Sequence, residues 1–251
     1  MIDLEESGEI TLVRMRHGKA NAMDCEFCDA MTDTFDQLGR SDTRAVVLTG
    51  HGNIFSAGVD LVQAIDGGPG YFERFLPAMN RAFEVLFRFP KPVVAAINGH
   101  AIAGGCVLAC AADRRIMANG GARIGIPELL VGVPFPAIAL ETMRHACAPH
   151  RFEELVYSGV TVAGQNAHEW GLIDEVVPED QVLDRASEIA NSLARIRPSV
   201  FELSKLQVRM PALESFQALA ARHEAGVVAL WNEPATLAAM RDYVSRTFKR
   251  D

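Results

Sequence analysis

The sequence predicts an α/β protein with a helical C-terminal portion, and two observations carry that prediction. As far as Pro134, short apolar segments rich in β-branched residues alternate with segments of helical periodicity. This alternation is typical of a parallel sheet with helical cover, in which right-handed crossovers join the strands. Beyond Pro134, helical patterns dominate. We therefore divide the chain into an α/β core at residues 1–195 and a helical C-terminal portion at residues 196–251.

The individual elements follow from local patterns along the chain. Residues 9–15 alternate as a half-exposed strand does, and Asp24 is placed to cap a helix that ends near Gly39. The glycine-rich segment 66–70 is expected to be the most flexible. Further strands are predicted at 45–49, 93–97, 114–118 and 172–177. Helices are predicted at 24–39, 71–89, 106–112, 137–146, 151–158, 163–170, 180–193, 199–208, 213–231 and 234–248.

Composition restricts the partners of the protein. With 251 residues, 49% hydrophobic and 22% charged, the chain can bury a substantial core and is typical of a folded soluble protein. A net charge of −8 disfavours a nucleic acid, RNA included, or an anionic membrane as the main partner. The acidic N-terminus lacks the features of a signal peptide, and polar residues interrupt the apolar stretch 93–112. We expect a cytoplasmic protein with no membrane partner.

The cysteines do not indicate a disulfide framework or a metal site. Five cysteines are too few for such a framework in a chain of this length. Cys25 and Cys28 have zinc-like spacing, but no second cysteine pair or histidine pair completes a ligand set. We expect reduced thiols on a helix and no metal.

Three segments carry residues that could do chemistry. Gly104 precedes a buried helix, whose first N–H groups have no intrahelical partner and lie at the positive end of the macrodipole. Gly58, in the loop 55–60, permits an unusual turn that leaves the N–H of Val59 free. Glu128 has almost wholly apolar neighbours, so its charged form is disfavoured and it can shuttle a proton near neutral pH. Two backbone donors and one carboxylate suit proton abstraction next to a carbonyl.

Each of these patterns also has a structural explanation when it is taken alone. A glycine pair before a helix often serves helix packing, residues 55–58 could form an ordinary turn, and Glu128 could be an N-cap or a surface acid. Together, however, the segments resemble the crotonase family, the enoyl-CoA hydratases and isomerases. The resemblance covers nearly the whole chain and is carried by Ile97-Asn98-Gly99-His100-Ala101-Ile102-Ala103-Gly104-Gly105, by Phe55-Ser56-Ala57-Gly58-Val59-Asp60-Leu61, and by residues 21–23, 92–98, 127–128 and 167–177.

The resemblance implies a fold and a substrate. The fold would be crotonase-like, with repeated ββα units and a C-terminal helical portion that forms a homotrimer or a dimer of trimers. The substrate would be an acyl-CoA thioester of fatty acid metabolism. No separate cofactor is implied, because CoA is part of the substrate. The N–H groups of Val59 and Gly104 would hold the thioester carbonyl as an oxyanion hole, with Glu128 as the acid/base.

The resemblance also implies where CoA binds. Loop residues from two parts of the chain would contact it, namely Lys19, Ala20, Ala22, Ala57, Asp60 and Leu61. Lys19 could meet a phosphate or simply be solvated. Aromatic and basic residues of the tail, often from a neighbouring subunit, would approach the CoA as well; the candidates are Tyr243, Arg246, Phe248 and Lys249.

One departure from the family pattern favours isomerisation over hydration. Hydratases of the family carry a second glutamate three residues after the oxyanion glycine, where this chain has Val107. Adding water across a double bond uses both carboxylates, whereas moving a double bond from position 3 to position 2 needs one base. An apolar segment, residues 133–136, also follows Glu128 where hydratases have glycines and an arginine. We therefore expect an enoyl-CoA isomerase.

Other assignments stay open. A 2-enoyl-CoA hydratase remains possible if His100 or Glu141 supplies the second acid or the backbone holds the water. A non-catalytic acyl-CoA-binding or scaffold protein is disfavoured, because a pure binder has no need for Glu128. Ser56 is not in a GxSxG elbow, so nucleophilic hydrolase chemistry has no support.

Overall fold

The computed structural model describes residues 1–247. The strands are β1 Ile2–Ser7, β2 Ile10–Met15, β3 Ala22–Met23, β4 Ala45–Thr49, β5 Ile54–Ser56, β6 Gly58–Val59, β7 Val93–Ile97, β8 His100–Ile102, β9 Arg114–Ala118, β10 Ile124–Gly125, β11 Thr161–Val162 and β12 Glu175–Val177. The α-helices are α1 Cys25–Arg40, α2 Leu61–Gly67, α3 Phe72–Phe87, α4 Gly104–Ala111, α5 Glu128–Val131, α6 Ala137–Ala146, α7 Pro149–Ser158, α8 Gly164–Glu169, α9 Val182–Ala194, α10 Pro198–Trp231 and α11 Pro234–Thr247. Short 3₁₀ turns occupy Pro69–Tyr71 and Glu179–Gln181.

The strands form two principal sheets. The larger has the order β1-β2-β4-β7-β9-β12 and is parallel apart from β1, which pairs antiparallel with β2. The smaller has the order β11-β10-β8-β5, and β3 pairs with β6 separately. With the helices around them, these sheets give the α/β architecture that the sequence predicts.

Helices cover both faces of the larger sheet. In β7, Val93, Ala95 and Ile97 face the main core under α1, α3 and α4. Val94 and Ala96 face the opposite side, where α9 packs. A strand buried on both faces must be apolar throughout, which explains the unbroken apolar run that marked β7 in the sequence.

A buried ion cluster joins α10, the long helix of the C-terminal portion, to the core. Asp113 accepts a hydrogen bond from Val93 N at 2.8 Å and so anchors the backbone where β7 begins. Its carboxylate also pairs with Lys205 Nζ at 2.7 Å and Arg209 Nη2 at 2.8 Å. Arg209 further donates to the carbonyls of Phe87 and Ala111, the last residues of α3 and α4. The helical portion is therefore docked on the core by buried charges as well as apolar contacts.

Several elements differ from the sequence prediction. The acidic strand β1 and the short helix α2 were not predicted, and neither were the two- and three-residue strands apart from β12, because such strands are too short to show periodicity. The predicted helices 199–208 and 213–231 are one helix, α10, with Pro211 inside. Proline removes only one hydrogen bond there, while buried Arg209 and Leu213 hold the helix on either side. The predicted strand 172–177 is strand only over β12.

None of the helices within residues 1–247 is long and apolar enough to cross a membrane. All five cysteines are free thiols, and Cys25 and Cys28 lie in the first turn of α1. In the described part of the chain, no three His, Cys, Asp or Glu side chains are grouped as metal ligands would be.

Candidate active site

The backbone around Gly104 is held in an unusual conformation. Ala103, the residue before it, has φ +53° and ψ −126°, a combination that costs a non-glycine residue about 1–3 kcal/mol. The Ala103 N–H donates to Gly125 O at 2.8 Å, and β8 pairs with β10 alongside it. The pairing of β8 with β10 therefore maintains the turn at Ala103. Helix α4 begins directly after this turn, at Gly104.

The N–H of Val59 points away from its neighbouring strand. In the β3–β6 pair, Met23 is opposite Val59, and Asp60 N donates to Met23 O at 2.9 Å. Successive N–H groups of an extended chain point to opposite sides. The Val59 N–H consequently faces the other side, where no strand of the described residues pairs with β6.

Two glycines allow the Val59 and Gly104 segments to touch. A Cβ on Gly58, which has φ +80°, would lie 2.7 Å from Ala103 Cβ and 3.0 Å from Gly104 N. A Cβ on Gly105 would lie 2.2 Å from Ser56 O. Because no side chain fits between these backbones, the two candidate donors are held next to each other.

The Glu128 carboxyl group is buried close to the same helix. The residue is half-buried as a whole, but its Oε2 is inaccessible to solvent and has no hydrogen-bond partner in residues 1–247. Burial raises the pKa of Glu128 to about 8, and a hydrogen bond from its own backbone N–H opposes this only partly. Burial also raises the pKa of the Cys106 thiol in the first turn of α4, and the Glu128 charge adds to that rise. The acid, still unpaired, therefore lies near the Gly104 end of α4.

Comparisons with known proteins identify the family. The chain matches the sequence model of the enoyl-CoA hydratase/isomerase family over residues 5–228. It is 31% identical over 214 residues to a putative enoyl-CoA hydratase from Thermus thermophilus, covering 83% of this chain and 84% of that protein. The chain belongs to the enoyl-CoA hydratase/isomerase, or crotonase, family.

Solved structures of similar proteins agree with this assignment. A Mycobacterium tuberculosis protein, 30% identical, superimposes with a TM-score of 0.84 over 91% of this chain and 97% of its own. One structure of that protein is described as a probable enoyl-CoA hydratase and another as an enoyl-CoA isomerase. The human mitochondrial delta3-delta2-enoyl-CoA isomerase, at 24% identity, has a TM-score of 0.92 over 100% of this chain and 99% of its own, which shows a common fold. The fold is that of the crotonases.

The candidate CoA-binding residues of this family member come together. Ala22 and Ala57 belong to segments joined by the β3–β6 pair, and Ala57 N donates to Ala20 O at 3.0 Å. Lys19 is exposed beside them. Asp60 and Leu61 begin α2, where Asp60 Oδ1 already accepts from Gln63 N at 2.9 Å as the N-cap. The Asp60 carboxylate thus caps the N-terminus of α2, a structural role that the resemblance did not indicate.

The other acids and bases are placed differently from Glu128. Glu141 is buried on α6, and its Oε1 accepts from Arg144 Nε at 3.0 Å. His100 Nδ1 accepts from Arg123 N at 3.3 Å. Val107 is buried in α4 and offers no carboxylate. Of the carboxyl groups considered for the site, Glu128 is the one with an oxygen that is buried and has no hydrogen-bond partner among residues 1–247.

The C-terminal helix covers the elements that flank the site. α11 packs against α2, which follows Val59, and against α5, which begins at Glu128. Tyr243 is half-buried against the main core, whereas Arg246 is exposed and paired with Asp242. Phe248 and Lys249 lie outside the described residues.

Two residues that the sequence did not mark as functional lie behind the candidate donor Val59. Asn21 and Ser56 are fully buried, and the Ser56 hydroxyl donates to Asn21 O, 35 positions away, so that it links the two candidate CoA-binding segments. No local pattern reveals such a pair. The one local hint is that Asn21 has φ +46°, a conformation that asparagine tolerates better than most residues.

Proposed function

We propose that this chain is an enoyl-CoA isomerase that converts 3-enoyl-CoA to 2-enoyl-CoA. The N–H groups of Val59 and Gly104 would donate hydrogen bonds to the thioester carbonyl oxygen, and Glu128 would be the single acid/base. The observation that carries the proposal is the carboxyl oxygen of Glu128, which is buried near the Gly104 end of α4 and has no partner in residues 1–247, while Val107 stands where a second acid would be needed.

The proposed reaction begins with polarisation of the thioester carbonyl. Hydrogen bonds to the oxygen stabilise negative charge as it develops, and losing one such donor typically costs about 10²–10³ in rate. The ionised Glu128 removes a proton from C2 and leaves a dienolate. The protonated Glu128 then returns a proton to C4, which places the double bond at position 2. A pKa of about 8 keeps both protonation states of the side chain accessible near neutral pH.

A hydratase is the second candidate, because similar proteins carry that name. Hydration would need another group to activate water or deliver a proton. Glu141 is the candidate, but its pairing with Arg144 occupies one carboxylate oxygen. The isomerase therefore requires less rearrangement of the site.

Product analysis with two substrates tests the proposal. Wild type, Glu128→Gln and the matched variant Glu141→Gln are incubated separately with a 3-enoyl-CoA and a 2-enoyl-CoA. We expect isomerisation in wild type and Glu141→Gln, a loss of about 10²–10⁴ in Glu128→Gln, and little hydroxyacyl-CoA. Hydration faster than isomerisation, lost in Glu141→Gln, would establish the hydratase instead. Tight acyl-CoA binding with no turnover would point to a binding or scaffold protein.

We also propose a homotrimer or a dimer of trimers. Apolar side chains are exposed along the first half of α10, including Val200, Leu203 and Leu206, and exposed apolar surface of this kind marks an interface. Light scattering after size exclusion gives the mass directly. A monomer at micromolar concentration would contradict the proposal.

A further inference from the structure

The direction of the Val59 N–H depends on a very short strand. β6 has two residues, and its partner in the described part of the chain, β3, also has two. Isolated pairs of strands are marginally stable even when they are longer. A donor that must meet a developing charge therefore needs further support.

The Asn21 side chain supplies part of this support. Its Oδ1 accepts from His17 N at 2.8 Å, and its Nδ2 donates to Phe55 O at 2.9 Å. The side chain is completely buried, and both its acceptor and its donor are used. The loop before β3 is thereby tied to the strand before β6.

Ser56 completes the link from the other segment. Its Oγ donates to Asn21 O at 2.8 Å and accepts from Gly58 N at 3.2 Å. Like Asn21, it is fully buried. A single hydroxyl thus connects the Asn21 backbone to the residue that precedes Val59.

Within residues 1–247, these bonds leave one N–H of the loop 57–60 without a partner. Ala57 N donates to Ala20 O, Gly58 N to Ser56 Oγ, and Asp60 N to Met23 O. Val59, between Gly58 and Asp60, is the residue whose N–H faces away from this network. The network therefore fixes the direction of the proposed donor.

The same network contacts the second donor. Ser56 O and Cβ lie within 2.8 Å of where a Gly105 Cβ would be. A Cβ on Gly58 would likewise lie 3.0 Å from Gly104 N. Ser56 is consequently packed against the first turn of α4. A shift of Ser56 would change the position of Val59 relative to Gly104.

We propose that Asn21 and Ser56 are positioning residues of the oxyanion hole. Each acts through the backbone, by fixing the Val59 N–H relative to the Gly104 N–H. The proposal rests on the proposed function to the extent that this hole holds a thioester carbonyl. It does not depend on whether isomerisation or hydration follows.

Two variants remove the side-chain hydrogen bonds of this network without straining the backbone. Ser56→Ala removes the hydroxyl alone. Asn21→Gly removes the carboxamide but retains a residue that adopts positive φ without strain. Because the hole binds the enolate more strongly than the ground state, each variant should lower kcat by about 10–100-fold while KM changes by less than about threefold.

The carbonyl stretch of a bound thioester reports on the hole without turnover. A saturated acyl-CoA labelled with ¹³C at the thioester carbonyl is bound to each protein, and its infrared frequency is compared with that in solution. We expect a lowered frequency in wild type and in Glu128→Gln, and a smaller lowering in Ser56→Ala and Asn21→Gly. Thr49→Val is the matched control, since it removes a buried hydroxyl that donates to Ala96 O in the large sheet, and it should match wild type.

The outcomes are distinguishable. The positioning role is refuted if Ser56→Ala and Asn21→Gly fold, bind acyl-CoA and show the wild-type frequency and kcat. It is also refuted if Thr49→Val reduces the lowering equally, because general loosening would then explain the effect. If the carbonyl frequency in the wild-type complex equals that in solution, the proposed oxyanion hole is refuted, and the positioning role is refuted with it. A lowered frequency without isomerisation would overturn the proposed reaction and leave the positioning role supported.

Discussion

Replacing Glu128 by glutamine should change how the stability of the protein depends on pH. Glutamine keeps the size of the side chain and removes its titration. The folded protein raises the pKa of Glu128 from its ordinary value of 4.5 to about 8. A group that binds its proton more tightly when folded contributes stability that is complete below pH 4.5 and is lost as pH rises to about 8.

The size of the effect follows from those two pKa values. Each pH unit between them costs about 1.4 kcal/mol of the free energy of unfolding. Ionisation of Glu128 has cost about 1 kcal/mol by pH 5, about 3 by pH 7 and about 5 by pH 9. Wild type should therefore lose about 4 kcal/mol relative to Glu128→Gln between pH 5 and pH 9.

Urea unfolding followed by tryptophan fluorescence at intervals from pH 5 to pH 9 measures this difference. Other titrating groups cancel, because only the difference between wild type and variant is used. Glu202→Gln, which makes the same substitution at an exposed position of α10, is the matched control. A difference between wild type and Glu128→Gln that stays constant within about 1 kcal/mol would refute a carboxyl group held protonated by burial.

Three further predictions test neighbouring features. The kcat/KM for isomerisation should rise with pH and level off above about 8, because Glu128 must be ionised to act as the base; a flat profile from pH 6 to pH 9 would contradict this. Gly105→Ala should lower the unfolding temperature, since its Cβ would lie 2.2 Å from Ser56 O, whereas Gly39→Ala, 3.8 Å from its nearest neighbour, should leave it equal or higher. Equal effects would be evidence against the close approach. Arg209→Met should cost about 3–5 kcal/mol in urea unfolding by breaking a buried ion cluster, and a loss below about 1 kcal/mol would mean that the cluster contributes little to docking α10.

The sequence was sufficient where a single strong local pattern determined the element. Asp24 accepts from Phe27 N at 2.7 Å as the predicted cap of α1, and the predicted helix at 137–146 has the bounds of α6. The run at Val93–Ile97 is a buried strand as predicted. In each case one physical effect, either capping or burial on both faces, accounts for the residues present.

The sequence was insufficient where structure arises between distant segments. β3 and β6 have two residues each and exist because their segments meet, so neither shows a pattern of its own. Pro211 signals a helix end locally, but tertiary contacts of Arg209 and Leu213 carry α10 through it. Glu128 could be singled out by its apolar neighbours, whereas the hydrogen bonds of Asn21 depend on a fold that local sequence does not reveal.

The ion cluster at the far end of α4 has an electrostatic consequence for the proposed oxyanion hole. A helix normally carries about half a positive charge at its N-terminus and half a negative charge at its C-terminus. At the C-terminus of α4, Arg209 donates to Ala111 O at 3.0 Å, and Lys205, Arg209 and Asp113 together carry one net positive charge. The helix has eight residues, so this end is only about 12 Å from Gly104. With its negative pole neutralised, α4 acts on an anion at Gly104 as a single positive pole, and the helix α10 thereby contributes to the electric field at the proposed site.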